Sequence, residues 1–319
     1  MMQSFWHNLQ KPFLVQAPME DITDTVFRQM LLECGRPDVF FTEFTNVDGI
    51  FSTGASHTIH RLAFSLHERP IVAQIWGSKP ENYFQGVKYI RAQGFDGVDI
   101  NMGCPQRDII KKGLCGALIE NRPLATKIIR ATLEGAGKDF PVSIKTRIGI
   151  NKPVTEDWMR FLLSFNSAAI IVHGRTVKEM SAVPAHWDEI HKAVLLRNRI
   201  GKQTLIIGNG DVKSKSEALE KAGMYRVDGV MIGRGMLEDI HIFSSYSTNI
   251  TAQHRKQLLK KHIDLFQRTW GNEPNFDKHF HRLRKYIKIY IRGFEGSSHL
   301  RQRLMTASSI DDVLGILNE

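Results

Sequence analysis

Cys104 is the residue of this chain whose setting most suggests chemistry. It stands between Gly103 and Pro105, after the apolar Gly97 and Val98 and the polar Asn101. Gly103 lets the backbone turn sharply, and Pro105 fixes its own φ and stiffens the loop beyond it. That pattern displays a thiol on a loop at the end of a strand, whereas a cysteine without such flanks reads as a small buried hydrophobe. An unperturbed thiol has a pKa of about 8.5, so at neutral pH it is mostly protonated and can serve as an acid. Two glycine-rich runs suggest anion recognition instead: Gly208, Asn209, Gly210 and Asp211 in one, Gly233, Arg234 and Gly235 in the other. Each lies between an apolar run and a helical pattern, where backbone N–H groups can approach a phosphate and Arg234 can grip it with two donors. The phosphate belongs to a substrate or to a cofactor. Lys145, His173 and Gln74 also fall in or just after apolar runs. A buried lysine is costly unless it meets an anion, whether a ligand or a neighbouring carboxylate. A lone histidine is as readily structural as catalytic. A glutamine offers one acceptor and two donors, which suits the edge of a heteroaromatic ring. No group of His and carboxylate residues has metal-ligand spacing, so no metal centre is expected.

These residues need elements to bring them together. Short apolar runs at 13–17, 39–42, 71–75, 97–101, 142–146, 169–172, 204–207 and 229–232 read as strands, several of them apolar on both faces as a covered parallel sheet requires. Between them lie helical patterns at 24–34, 79–93, 122–136, 155–164, 187–197, 214–221 and 236–246, with Asp24, Ser78, Asn121 and Ser214 as N-caps. The alternation predicts an α/β fold, a (β/α)₈ TIM barrel. A doubly wound open sheet is the competing fold, but no GxGxxG comes after the first strand. In such a barrel the site forms at the C-terminal strand ends. Those positions hold Met19, Glu43, Gln74, Asn101 with Cys104, Lys145, His173, Asn209 with Asp211, and Gly233 with Arg234. One polar strand end reads as a cap; a full ring of them reads as a site. Lys145, His173 and Gln74 beside a phosphate grip after the last two strands fit flavin mononucleotide (FMN).

The chain of 319 residues, 42% hydrophobic, is long enough for one large barrel or two domains. From residue 248 the strand patterns stop and only helical ones remain, at 251–270, 275–294, 297–305 and 310–317, so the expected division is a catalytic barrel over 1–247 and a smaller all-helical C-terminal domain over 248–319. Three cysteines make no disulfide framework, and no apolar run approaches the length of a membrane span. A soluble, cytoplasmic, monomeric protein is expected. Of the formal charge of +10, residues 251–303 alone carry +9. A nearly balanced body with a basic tail suggests a bound polyanion, against the plain alternative of a solvated surface. Within the tail, Arg282, Lys285, Lys288 and Arg292 recur at helical spacing, and Leu283, Ile287, Tyr290, Ile291 and Phe294 take the other face. The apolar face would pack inward and leave a basic stripe outward.

Taken in order from about residue 12 to 240, these blocks resemble the tRNA-dihydrouridine synthase family: Ala17, Pro18 and Met19; Thr42 and Glu43; Gln74; Asn101 to Pro105; Lys145 to Gly149; His173 to Thr176; Gly208 to Asp211; Gly233 to Gly235. The helical tail is similar to that family's RNA-binding domain. Cys115 stands where the family usually carries a smaller residue. The resemblance implies an FMN-dependent oxidoreductase that reduces the C5–C6 bond of one tRNA uridine, with NADPH as reductant. By position, Ala17, Pro18, Met19, Gln74, Lys145, His173, Asn209, Gly210, Asp211, Gly233 and Arg234 would hold FMN. Cys104 would donate the proton to C5 while the flavin gives hydride to C6. Asn101, Arg147 and Arg175 would face the uracil or the RNA backbone, and Arg282, Lys285, Lys288 and Arg292 would bind tRNA. Another FMN-barrel oxidoreductase acting on a small molecule shares the flavin logic but gives no reason for the basic tail.

Overall fold

The apolar runs form one all-parallel sheet. The computed structural model describes residues 4–245, 250–272 and 276–319, with backbone alone for 276–279. Its strands are β1 (Phe13–Gln16), β2 (Phe40–Phe41), β3 (Thr45–Asn46), β4 (Ile71–Trp76), β5 (Gly97–Met102), β6 (Val142–Arg147), β7 (Ala169–His173), β8 (Leu205–Asn209) and β9 (Gly229–Ile232). They run in the order β1-β9-β8-β7-β6-β5-β4-β2, with β3 extending the ladder on β4. Between β1 and β2 the wall closes through a bridge of Val15 with Val39. The Gln16 amide donates to the Val39 carbonyl at 3.0 Å and the Asp38 amide to the Leu14 carbonyl at 2.8 Å. The result is a (β/α)₈ barrel. All eight expected strands are present with ends within two residues of those expected.

Alternation along each strand sorts the side chains. Val98, Ile100, Met102, Ile144, Ile170 and Val172 face the surrounding helices as part of the main core. Phe13, Val15, Ala17, Val72, Ala169, Ile171, Ile207 and Met231 fill the barrel interior. Trp6, on a short turn before β1, is fully buried against Phe13 and plugs the end where the strands begin. The opposite end stays open.

The covering helices are Thr25–Cys34, Pro80–Ala92, Arg122–Ala136, Thr155–Leu163, Trp187–Arg199 and Lys215–Tyr225. Asp24, Asn121 and Ser214 cap as expected, each side chain accepting from a first-turn amide. Ser78 does not cap. Its amide and hydroxyl both donate to the Asp48 carboxylate at 2.7 Å, and the helix starts one residue later behind Lys79. The helix expected over 236–246 is only Gly235–Glu238. Asp239 ends it in an extended conformation, because its carboxylate captures the His241 amide at 2.9 Å.

The tail forms four helices, Ala252–Trp270, Phe276–Tyr290, Ser297–Thr306 and Ile310–Asn318. The expected division between 247 and 248 falls outside the described residues. Apolar packing runs without a break from the barrel helices into the tail. The helix Thr25–Cys34 is the hinge of this contact. Phe27 stacks on Tyr286 at 5.7 Å, the Trp270 indole donates to Asp24 at 3.1 Å, and the Tyr286 hydroxyl donates to the Ile22 carbonyl at 2.6 Å. Among the described residues no helix is long and apolar enough to cross a membrane.

Candidate active site

The register of the parallel ladder builds the open mouth. Asn101 pairs with Lys145 across β5 and β6, Arg147 with His173 across β6 and β7, and His173 with Asn209 across β7 and β8. These strand ends therefore stand side by side, and their alternation points Asn101, Lys145, His173 and Asn209 to the interior side. A cavity of about 560 Å³ opens there. Of the residues expected to hold a cofactor, Ala17, Pro18, Met19, Lys145, His173, Asn209, Gly210, Asp211, Gly233 and Arg234 line it. Gly210 has φ +136°, and a Cβ there would lie 2.6 Å from the Ala185 Cβ, so this wall admits only glycine.

Gln74 does not line the cavity. It is fully buried below the mouth, where its amide nitrogen donates to Asp99 at 2.7 Å and its oxygen accepts from Asn101 at 3.0 Å. Asn101 in turn accepts from the Gly103 and Cys104 amides, both at 3.0 Å. Both side chains are spent on shaping the cysteine loop. Ser143 donates to the other oxygen of Asp99 at 2.6 Å. Burial raises the Asp99 carboxyl to about 7, against the pull of Ser143, Gln74 and Lys145.

The cations of the mouth are held in place by the chain itself. Lys145 donates to the Asn209 oxygen at 3.1 Å, and the Asn209 amide donates to the Met231 carbonyl at 2.8 Å. Burial, helped by the nearby Arg147 charge, lowers the Lys145 ammonium to about 8. Arg147 donates to the carbonyls of Gly103 at 2.8 Å, Thr176 at 2.9 Å and Met180 at 3.2 Å, so it clamps the cysteine loop to the loop after β7. Arg175, expected to face substrate, lines the cavity, held by the Val183 carbonyl at 2.5 Å and by Asp211. Asp211 also accepts from Arg234 at 2.8 Å and from the Ala185 amide at 2.9 Å. Burial opposes its ionisation, but Arg175 and the Ala185 amide outweigh that and hold its carboxyl below the ordinary range. His173 is pushed far below the usual imidazole range by burial and by Arg147, Lys145, Arg175 and Arg234, so its ring is neutral. Its Nδ1 and the Arg175 Nη1 are buried without a hydrogen-bond partner.

Cys104 is half-buried on the same rim and packs against the small cluster of Ile109, Leu114 and Cys115. It does not line the cavity. Burial raises its thiol pKa, against the Gln106 amide and the charges of Arg147 and Lys145, so the sulfur is protonated at neutral pH. Cys115 is buried, with its thiol pushed well above the ordinary range.

The residues that sequence reasoning missed lie on the loop after β7, from Ser181 to Pro184, and at Met231, Lys213 and Glu238. The length of the segment between β7 and the next helix was the available signal for the first group, and Lys213's place two residues after Asp211 for another. One trio of carboxylates, Glu20, Asp21 and Glu43, converges beside the mouth with ligand atoms within 4.8 Å of one another. Its counter-charges are Arg61 on Glu20 at 2.6 Å and the tail's Lys285 on Asp21 at 3.1 Å, with Arg282 at 3.9 Å. The expected basic stripe is thus partly committed: Arg292 donates to the Leu237 carbonyl at 3.1 Å, and Lys288 alone of the four has no partner among the described residues. The opposite face packs inward, with Leu283, Ile287, Tyr290 and Ile291 all buried.

Solved structures share the barrel at low identity. A 2-naphthoyl-CoA reductase matches with a TM-score of 0.58 at 11% identity over 75% of this chain and 52% of its own. Histamine dehydrogenase from Rhizobium sp. 4-9 matches with a TM-score of 0.55 at 11% identity over 79% of this chain and 48% of its own. Closer relatives share sequence along the whole length. A probable tRNA-dihydrouridine synthase of Staphylococcus aureus (strain COL) is 41% identical over 100% of this chain and 96% of its own. Probable tRNA-dihydrouridine synthase 2 of Bacillus subtilis (strain 168) is 39% identical over 100% and 97%. The dihydrouridine synthase (Dus) family matches residues 15–318, which takes in both the mouth of the barrel and the helical tail. The chain belongs to the dihydrouridine synthase family.

Proposed function

We propose that this chain is a flavin-dependent oxidoreductase that reduces the C5–C6 double bond of one uridine in tRNA, with NADPH as the electron donor and the cytoplasm as its place of action. The observation that carries this reading is the pairing of a cationic cavity with a protonated thiol on one rim. The cavity lining holds Lys145, Arg175, Lys213 and Arg234 against Asp211 and Glu238, an excess of positive charge suited to a phosphate. The orphaned His173 Nδ1 and Arg175 Nη1 are buried groups that a ligand would satisfy. Gly210, at φ +136°, lets the loop pass within 2.6 Å of Ala185 where a Cβ would sit, which sets the position of Asp211 beside it. These residues fit FMN: Arg234 and Lys213 would hold its phosphate, with Asp211 orienting Arg234, and Lys145 and His173 would meet the flavin. When bound and reduced, that flavin supplies hydride to C6 of the uracil.

The protein's own residues do the rest. Cys104 gives its proton to C5, which completes the saturated ring, and the thiolate takes a proton back from solvent. A thiol whose pKa is raised by its surroundings is the correct protonation form for that step. Asn101 and Arg147 hold the cysteine loop rigid, through two amides and one carbonyl, so their role is positioning. Arg282, Lys285, Lys288 and Arg292, on the all-helical domain of 248–319, draw in the RNA backbone. The target base must leave its stack to reach the mouth, which costs least in a loop of the tRNA.

Purified protein should carry a flavin absorption spectrum, and tRNA from cells lacking the protein should lose dihydrouridine at one position. Cys104→Ala should keep the flavin and lose about a hundredfold or more in rate of dihydrouridine formation. Full activity in Cys104→Ala would remove the thiol from the mechanism, and a colourless protein would remove the flavin.

A further inference from the structure

A groove of about 390 Å³ runs along the seam between the tail and the barrel. Its floor is apolar: Ile22 from the loop after β1, Leu237 from the turn after β9, and Ile289 and Met305 from the tail. Lys288 and Arg292 stand on its rim, and no carboxylate lines it among the described residues. Arg284 also lines it. One Arg284 nitrogen donates to the Ala307 carbonyl at 3.0 Å, while its Nε is buried without a partner.

The groove and the main cavity share two loops. Met19 and Glu238 line the cavity, and Ile22 and Leu237, on the same loops, line the groove. A chain that enters the cavity is therefore adjacent to the groove. An apolar floor under a cationic rim matches the two parts of a nucleotide: a base buries its flat face and a phosphate meets the cations. A charge-free lipid or peptide would gain nothing from Lys288 and Arg292. An acidic ligand without a flat apolar group would gain nothing from the floor.

We propose that the seam groove is a second nucleotide site, which takes the base of a nucleotide beside the target uridine against Ile22, Leu237, Ile289 and Met305 and its phosphate at Lys288 and Arg292. This rests on the tRNA reading given above. Two unstacked nucleotides would then straddle the shared loops, and the groove would help select which uridine reaches Cys104.

The test uses the full-length protein and three tRNAs: intact, abasic on the 5′ side of the target, and abasic on the 3′ side. One abasic substitution should raise KM about fivefold or more, the low end of what one stacked base contributes. Met305→Trp, which fills the groove from a half-buried position on its floor, should raise KM on intact tRNA by a similar factor and erase the difference between the three. Lys288→Ala, at an exposed position that spares the fold, should raise KM and flatten its salt dependence by about one unit of slope. Equal KM values for all three tRNAs with the unaltered protein would overturn the proposal, as would an unchanged KM in Met305→Trp. Should Met305→Trp lose its flavin through misfolding, the abasic series and Lys288→Ala still decide. Absence of dihydrouridine from every tRNA with the unaltered protein would instead overturn the tRNA reading, and the groove with it.

Discussion

Lys145 sits at the end of β6 with its ammonium on Asn209, and burial brings its pKa down to about 8. Below that pH the lysine is charged and available to an anion; above it the mouth loses one positive charge. Apoprotein should therefore bind FMN more weakly as pH rises through about 8. Lys145→Met should weaken binding at pH 7 by about tenfold, one charge-assisted hydrogen bond, and lose most of that pH dependence. Fluorescence titration of FMN at several pH values measures both, and an equal pH slope in the variant would show that another group titrates. The sequence reveals which residues at this scale have suitable chemistry, because side-chain type and strand-end position are both written in it. It does not reveal which are already spent. Gln74 and Asn101 carry the right groups, but the register that sets Gln74 beside Asp99 turns their hydrogen bonds inward. Arg175 shows another side of this: its partner, Asp211, lies 36 residues away and fixes it in the cavity wall.

Elements were legible where the apolar pattern is dense, and less so where a single side chain decides. All eight barrel strands arise from runs of buried residues. The short helix Gly235–Glu238 ends where it does because one carboxylate takes one amide, and Ser78 prefers Asp48 to the helix it precedes. In the tail, His262 of helix Ala252–Trp270 is fully buried with its Nδ1 on the Tyr290 hydroxyl at 2.9 Å. Burial lowers its pKa from 6.5 to about 3. Between those values the unfolded chain binds a proton that the folded chain does not, so stability present above about pH 6.5 is lost as pH falls towards 3. The melting temperature should drop from pH 7 to pH 5. His262→Phe should flatten that drop, at a cost of about 1 kcal/mol at pH 7 from the lost hydrogen bond. Melts followed by circular dichroism at the two pH values test this, and a slope as steep as before would place the proton elsewhere.

At the scale of the whole molecule, the charge asymmetry was readable but its use was not. Counting residues finds +9 in the tail segment 251–303, yet Arg282 and Lys285 lean on Asp21 of the barrel, a pairing across more than 260 residues. On the function proposed above, RNA phosphates would compete with that carboxylate. Asp21→Ala should release both cations, tighten tRNA binding and steepen the slope of log K against log salt by about one to two units. Filter binding across a salt series reads it, and an unaltered slope would mean the two side chains never meet phosphate. Expected boundaries between the barrel and the tail suggest separable parts, but Phe27, Asp24 and Ile22 present one face of the helix Thr25–Cys34 and its approach loop to Trp270 and Tyr286. A chimera that transplanted this tail onto another member's barrel would leave Tyr286 and Trp270 facing foreign side chains. An exchange of tails between members would need to carry residues 22–34 with the graft.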